Sequence, residues 1–369
     1  MINQTASFAR KWQDLKDLLD RRNREGILLD TQASAAWLTG ARTFINMASA
    51  QSILQLYVTR ERIHVIVNNI EAQRIEEEEC SGLLGVPLSF SFEPFSWYDT
   101  AGAGRVLERL TGGKVEAWLP ERDCAEELRV LQRVLDPFEQ SVLQNLGQET
   151  AQAVEEIAAT FPFGESEFAV SGRLASALWE RGIEPIVLLV AGDQRSERRR
   201  HPLPTHTPVT TYAILSVCGR RNGLVASVTR SVQRGPLSIE LRSKQETVAY
   251  VDAMAIAACQ PGMELQEIFA VICEAYEKRG YKNEWTFHHQ GGLTGYASRT
   301  QLATATAVVT LQAGMAFAFN PTVAGAKSED TCLLGDRGAT ILTQSGGLWP
   351  MLDISVNGIS MPRPAVLER

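Results

Sequence analysis

Apolar and polar positions along the chain change their period several times. From Phe8 to Arg22 a polar amphipathic stretch predicts a helix, and the short apolar run Gly26 to Leu29 behind it predicts a strand. The β-branched runs Ser52 to Thr59 and Arg62 to Asn68, joined at Arg60-Glu61, predict a hairpin. Glu71 to Cys80 predicts a further helix, in which Glu76 to Glu79 form a solvated face, because consecutive helical residues point in different directions. Together these elements define a smaller α/β domain over residues 1–135.

After Pro137 the pattern becomes helical over a longer stretch. Val142, Leu146, Val154, Ile157 and Phe161 recur at multiples of three and four, and Pro162 and Gly164 end the run. Ser166 is placed to cap a second helix carrying Val170, Leu174 and Leu178 on one stripe, with Gly182 as its stop. A strand over 186–190, a strand pair over 210–217 and 224–232, and a helix pair over 243–259 and 265–280 follow. Strands are expected at 305–311, 315–319, 331–334 and 339–343, so residues 136–369 form an α+β domain in which helix pair and strand pair occur twice.

The length of 369 residues suits two domains, and a hydrophobic content of 44% is enough for two cores. A net charge of −7, with the positive residues scattered through acidic sequence, argues against nucleic acid and acidic membrane surfaces as partners. No run of about 18 apolar residues is present, which predicts a protein that does not span a membrane. Cysteines 80, 124, 218, 259, 273 and 332 are widely spaced and predict reduced, mostly buried thiols in a cytoplasmic protein. A small molecule, a short peptide or a second copy of the chain remains as the partner.

Five ordered landmarks then narrow the chemistry. They are His201-Pro202-Leu203-Pro204-Thr205; the strand, turn and strand Leu215 to Gly219 and Gly223 to Arg230; Phe287-His288-His289-Gln290-Gly291-Gly292, leading to Gly295-Tyr296; Gly314 to Pro321; and Ser328-Glu329-Asp330-Thr331. In this order the sequence resembles the creatinase, prolidase and aminopeptidase P family. The resemblance implies a pita-bread catalytic-type domain preceded by a creatinase N-terminal-like domain, and a homodimer.

Metal-dependent members of that family hold two divalent ions with Asp, Asp, His, Glu and Glu. The corresponding positions here are Ser216, Ser227, His289 (or His288), Asn320 and Glu329, so a single carboxylate is kept. One carboxylate, one imidazole and neutral hydroxyl or amide groups do not compensate four positive charges. The expectation is a site with no metal and no other cofactor. By analogy with creatinase, the resemblance makes His201 the general acid and base, Glu329 the group that binds a cationic part of the substrate, and His289 a donor to a substrate oxygen.

His288, Ser216, Ser227, Asn320, Arg230, Tyr296 and Arg299 are expected to complete the substrate pocket. The basic run Arg195, Arg198, Arg199 and Arg200 reads as a solvated loop or as an anion clamp, and His64 as structural. Neither Ser216 nor Ser227 sits in a Gly-x-Ser-x-Gly elbow, so neither is expected to be a nucleophile. Three readings stay open: a metal-independent hydrolase or lyase acting on a small amino-acid-like molecule, a silent pseudo-peptidase that binds a peptide or metabolite, and an Xaa-Pro peptidase.

Overall fold

The computed structural model describes residues 3–83, 90–344, 346–347 and 349–369. The chain divides into two compact units, Met1–Gln132 with Asp136–Glu139, and Arg133–Leu135 with Gln140–Arg369.

In the first unit, helix α1 (Gln4–Arg22) starts at Asn3, whose side chain accepts a hydrogen bond from the Thr5 amide. Strand β1 (Gly26–Thr31), helix α2 (Gln32–Thr39), and the antiparallel hairpin of β2 (Gln51–Thr59) and β3 (Ile63–Asn68) follow. Helix α3 (Ala72–Arg74) continues into a π-turn over Ile75–Glu79. There Glu76, Glu77 and Glu78 are exposed, but Glu79 is drawn in by ion pairs with Arg42 and Arg74, so the acidic run is only partly a solvated face. Strand β4 (Phe90–Phe95), helix α4 (Gly102–Thr111), strand β5 (Trp118–Pro120) and helix α5 (Ala125–Arg133) complete the unit. Its sheet has the order β4-β3-β2-β1-β5.

The second unit carries helix α6 (Pro137–Thr160) and helix α7 (Glu167–Trp179), the latter capped by Ser166, which accepts from the Ala169 amide. Strand β6 (Glu184–Gly192), the short helix α8 (Asp193–Arg198), and strands β7 (Tyr212–Arg221) and β8 (Leu224–Gln233) lead to helices α9 (Ile239–Ala258) and α10 (Leu265–Lys278). The strands after them are β9 (Gly291–Thr294), β10 (Gln301–Leu302), β11 (Ala316–Phe319), β12 (Thr322–Val323) and β13 (Ala326–Lys327). Strands β14 (Asp330–Gly335), β15 (Gly338–Ile341), β16 (Met351–Val356), β17 (Ile359–Pro364) and β18 (Leu367–Glu368) close the chain. The two larger sheets are β18-β8-β7-β6 and β10-β9-β11-β14-β15, and β12-β13 and β16-β17 form two-stranded ribbons. The apolar faces of α9 and α10 pack on the second sheet through Val251, Ile268, Ile272, Phe317 and Phe319.

Residues 305–311 do not form the expected strand. Their carbonyls satisfy the orphan donors around the start of α10 instead: Leu311 accepts from Gly262, Val309 from Leu265 and Ala307 from Gln266. The alternating Thr and Ala side chains therefore line a helix entrance, with Ala307 and Leu311 buried in the core. The hairpin of β16 and β17 was not expected from periodicity. It turns through Asn357-Gly358, both at positive φ, which is the pairing that tight hairpins favour.

Candidate functional site

A cavity of about 240 Å³ lies in the second unit, over the face of the β7–β8 hairpin that carries Ser216 and Cys218. The register sets Ser216 opposite Thr229 and Cys218 opposite Ser227, so strand alternation brings four small polar side chains onto one face. Ser216 Oγ and Thr229 Oγ1 are 2.7 Å apart, and Cys218 Sγ and Ser227 Oγ are 3.2 Å apart. Burial pushes the Cys218 thiol up, so it stays protonated. The eleven-residue spacing of Ser216 and Ser227 thus has a structural meaning, but Ser227 is fully buried and lies behind the wall of the cavity.

His201 reaches the cavity on a loop held by two buried or half-buried carboxylates. Glu167 accepts from the amides of Gly192 and Thr205 and pairs with Arg195. Asp193, at positive φ, accepts from the amides of Thr210, Thr211 and Tyr212. Within the basic run, Arg195 is therefore a structural partner of Glu167 and Arg200 pairs with Glu284, while Arg198 and Arg199 are exposed.

Three imidazoles converge here. His201 Nε2 is 2.9 Å from His288 Nε2, and the His288 and His289 rings stack with centroids 4.5 Å apart. His201 and His289 are exposed and line the cavity, whereas His288 is buried with its Nδ1 unpartnered among the described residues. Burial, reinforced by Lys327, holds His288 down to about 3 and lowers His201; burial, reinforced by Arg299, holds His289 down to about 4. All three are neutral near pH 7.

The positions of His289 and Gln290 depend on the two glycines that follow. Gly291 and Gly292 have positive φ, and a Cβ on them would collide with the carbonyl oxygens of Ala318 and Gln301. Only glycine lets β9 come this close to β11 and β10.

Glu329 is the one retained carboxylate, and it is not available to a substrate cation. Lys327 Nζ and Thr229 Oγ1 lie 2.8 Å from Oε2, and Arg299 Nη2 lies 2.8 Å from Oε1. Burial alone would raise its pKa, but Lys327 and Arg299 bring it down to about 2. Lys327 also donates to Ser216 Oγ at 3.3 Å. The expectation that Glu329 binds a cationic group of the ligand is therefore corrected: two cations of the chain already occupy it.

Asn320 lines the cavity with its side-chain oxygen buried and unpartnered among the described residues. Arg230 does not belong here. It is tied to Glu155 and Asp330 and borders a separate cavity with Trp349. Tyr296 is buried and is not among the residues lining the site. Lys327, Cys218 and Ser298 are polar members to which the sequence assigned no part in the site, and Lys327 had a signal, since it stands two residues before Glu329.

The donor set does not fit two divalent ions. One carboxylate, already satisfied by two cations, leaves no anionic oxygen to bridge a metal pair about 3.5–4 Å apart. Among the described residues the one cluster with metal-ligand character is His201, His288 and His289, whose ligand atoms lie within 4.8 Å of one another. An ion on those neutral rings would carry its two charges beside Lys327 and Arg299, with Glu329, already paired to both, as the carboxylate at the cavity.

Residues 142–339 match the model of the metallopeptidase family M24. An uncharacterized peptidase of Staphylococcus aureus strain MW2 is 20% identical over 346 residues, covering 86% of this chain and 96% of that protein. The crystal structure of the prolidase from Pyrococcus horikoshii OT3 superposes with a TM-score of 0.74 at 15% identity, covering 91% of this chain and 98% of the other. The N-terminal domain of the FACT complex subunit SPT16 from Cicer arietinum gives a TM-score of 0.71 at 10% identity, covering 93% and 97%. At these identities the structural likenesses establish the pita-bread fold. No helix among the described residues is long and apolar enough to cross a membrane.

Proposed function

The chain belongs to the metallopeptidase family M24, and from that premise we propose that it is a metal-independent hydrolase acting on a C–N bond of a small amino-acid-like molecule. The observation that carries this reading is the double pairing of Glu329 with Lys327 and Arg299 in a cavity that His201 faces. With Glu329 paired to two cations of the chain, a neutral imidazole is the group this reading leaves to activate water.

His201 lines the cavity and has its pKa lowered, first by partial desolvation and then by Lys327, so its basic form prevails at neutral pH. In the proposed step the oxygen of water bonds to the carbon while His201 takes its proton. The C–N bond then breaks, and His201 returns the proton to the departing nitrogen. His289, exposed beside it, can donate to the oxygen that gains charge.

A panel of N-acyl and N-carbamoyl amino acids, assayed with and without chelator, tests the reading. Turnover that resists the chelator and disappears in His201→Ala supports it. Turnover that the chelator abolishes, or that His201→Ala leaves intact, contradicts it.

One observation favours a second reading, a binding protein without turnover. The hydrogen-bond partner of His201 is the neutral His288, and among the described residues no carboxylate holds its tautomer as an acid-base histidine usually requires. Saturable binding of a panel compound with no product would select that reading.

A further inference from the structure

The wall of the cavity contains more hydrogen-bonding capacity than its own side chains use, and the unused part is mainly cationic. Lys327 is 7% exposed in its side chain, and two of its three donors go to Ser216 Oγ and Glu329 Oε2. The third has no partner among the described residues. Arg299 has its Nε buried and unpartnered, and so does the side-chain oxygen of Asn320. All three residues border the same cavity. Two cations face one carboxylate there, so one positive charge is in excess at the wall of a half-open cavity of about 240 Å³. A buried cation without full pairing is costly unless an anion joins it.

We propose that this cavity is a carboxylate-binding site, in which Lys327 and Arg299 receive a monoanionic ligand and Asn320 takes a polar hydrogen of the same molecule. The proposal rests on the reading of this cavity as the ligand site and names its substrate class. A monoanion matches an excess of one charge. A dianion such as phosphate would meet Glu329, which is fixed in its charged form between the two cations. The amide oxygen of Asn320 accepts, so a ligand with an N–H near its carboxylate, such as an N-acylated amino acid, satisfies both ends.

Calorimetric titration with acetate and N-acetylglycine, each against its neutral amide, reads the preference directly. The carboxylates should bind at least about tenfold more tightly than the amides, a difference of about 1.4 kcal/mol. Lys327→Met cancels the charge excess and should remove the preference. Glu329→Gln increases it and should strengthen carboxylate binding severalfold. Because these variants move the affinity in opposite directions, simple damage to the fold, which would weaken both, is distinguished from the predicted effect.

Equal binding of acids and amides, no binding of any probe, tighter binding of inorganic phosphate, or an unchanged preference in Lys327→Met would each overturn the proposal. His201→Ala should keep the carboxylate preference. Preference without turnover contradicts the hydrolase reading alone, and turnover without preference contradicts this inference alone.

Discussion

Two buried charge clusters meet at the start of β14 and do different work. Glu329 and Asp330 are neighbours in sequence, yet pleating sends them to opposite sides. Glu329 joins Lys327 and Arg299 at the cavity, where cations outnumber the carboxylate. Asp330 joins Arg363, Arg230, Asp252 and Glu155, where three carboxylates face two arginines. The second cluster ties the C-terminal β17 to α9 and β14, because Arg363 is fully buried and reaches both Asp252 and Asp330. Equal burial therefore does not mean equal purpose. The Asp330 cluster cross-links elements distant in sequence, whereas the Glu329 cluster leaves donors unpaired among the described residues at the wall of a cavity.

The strongest way to break this comparison is to remove one cation from each cluster. Arg363→Met should lower the stability in urea unfolding by about 3–5 kcal/mol, since it leaves Asp252 buried without its main partner. Lys327→Met should lose less than half as much, because Arg299 and Thr229 still hold Glu329. Equal losses would mean that both clusters are structural.

A smaller effect is expected where the backbone shapes the cavity. Gly291→Ala pushes a methyl into the Ala318 carbonyl at positive φ and should cost about 1–3 kcal/mol. Thermal melts of this variant beside Gly172→Ala, an exposed helical site with open space around it, should show a large drop in the first and none in the second.

The acid limb of stability comes next. In the fold His288 and His289 titrate near 3 and 4, below the ordinary value of 6.5, so the unfolded chain takes up protons first as the pH falls. The stability gained by keeping these rings neutral is complete above the unfolded pKa and is lost as the pH drops from about 6.5 to about 4. Asp252, raised to about 6 by its burial, opposes that slope. The discriminating quantity is therefore the difference between the wild type and His288→Asn. The variant should fall less steeply, by up to about 1.4 kcal/mol per pH unit in that window. Parallel curves would remove His288 from the account.

Much of the fold could be read from the chain because its longer elements are periodic. Helices α6, α7, α9 and α10 and the β7–β8 hairpin announce themselves by apolar spacing and by the turn at Gly223. Residues 305–311 misled because their alternation matches a strand, while their carbonyls were needed at the entrance of α10. The Asn357-Gly358 pair is a hairpin signal that stands in the sequence itself. In the site, the landmarks located His201, Ser216, His289, Asn320 and Glu329. They could not reveal that Lys327 meets Ser216 across 111 positions of sequence, or that Arg230 turns to the other face, because strand register and pleat decide both. Counting the lost carboxylates likewise left out Lys327, which pairs with the retained Glu329.

The most direct test of the central claim is elemental analysis of protein purified without chelator, run beside Glu329→Gln. The account predicts no pair of bound divalent ions in either protein. Two ions per chain in the wild type, lost when Glu329 is replaced, would contradict it.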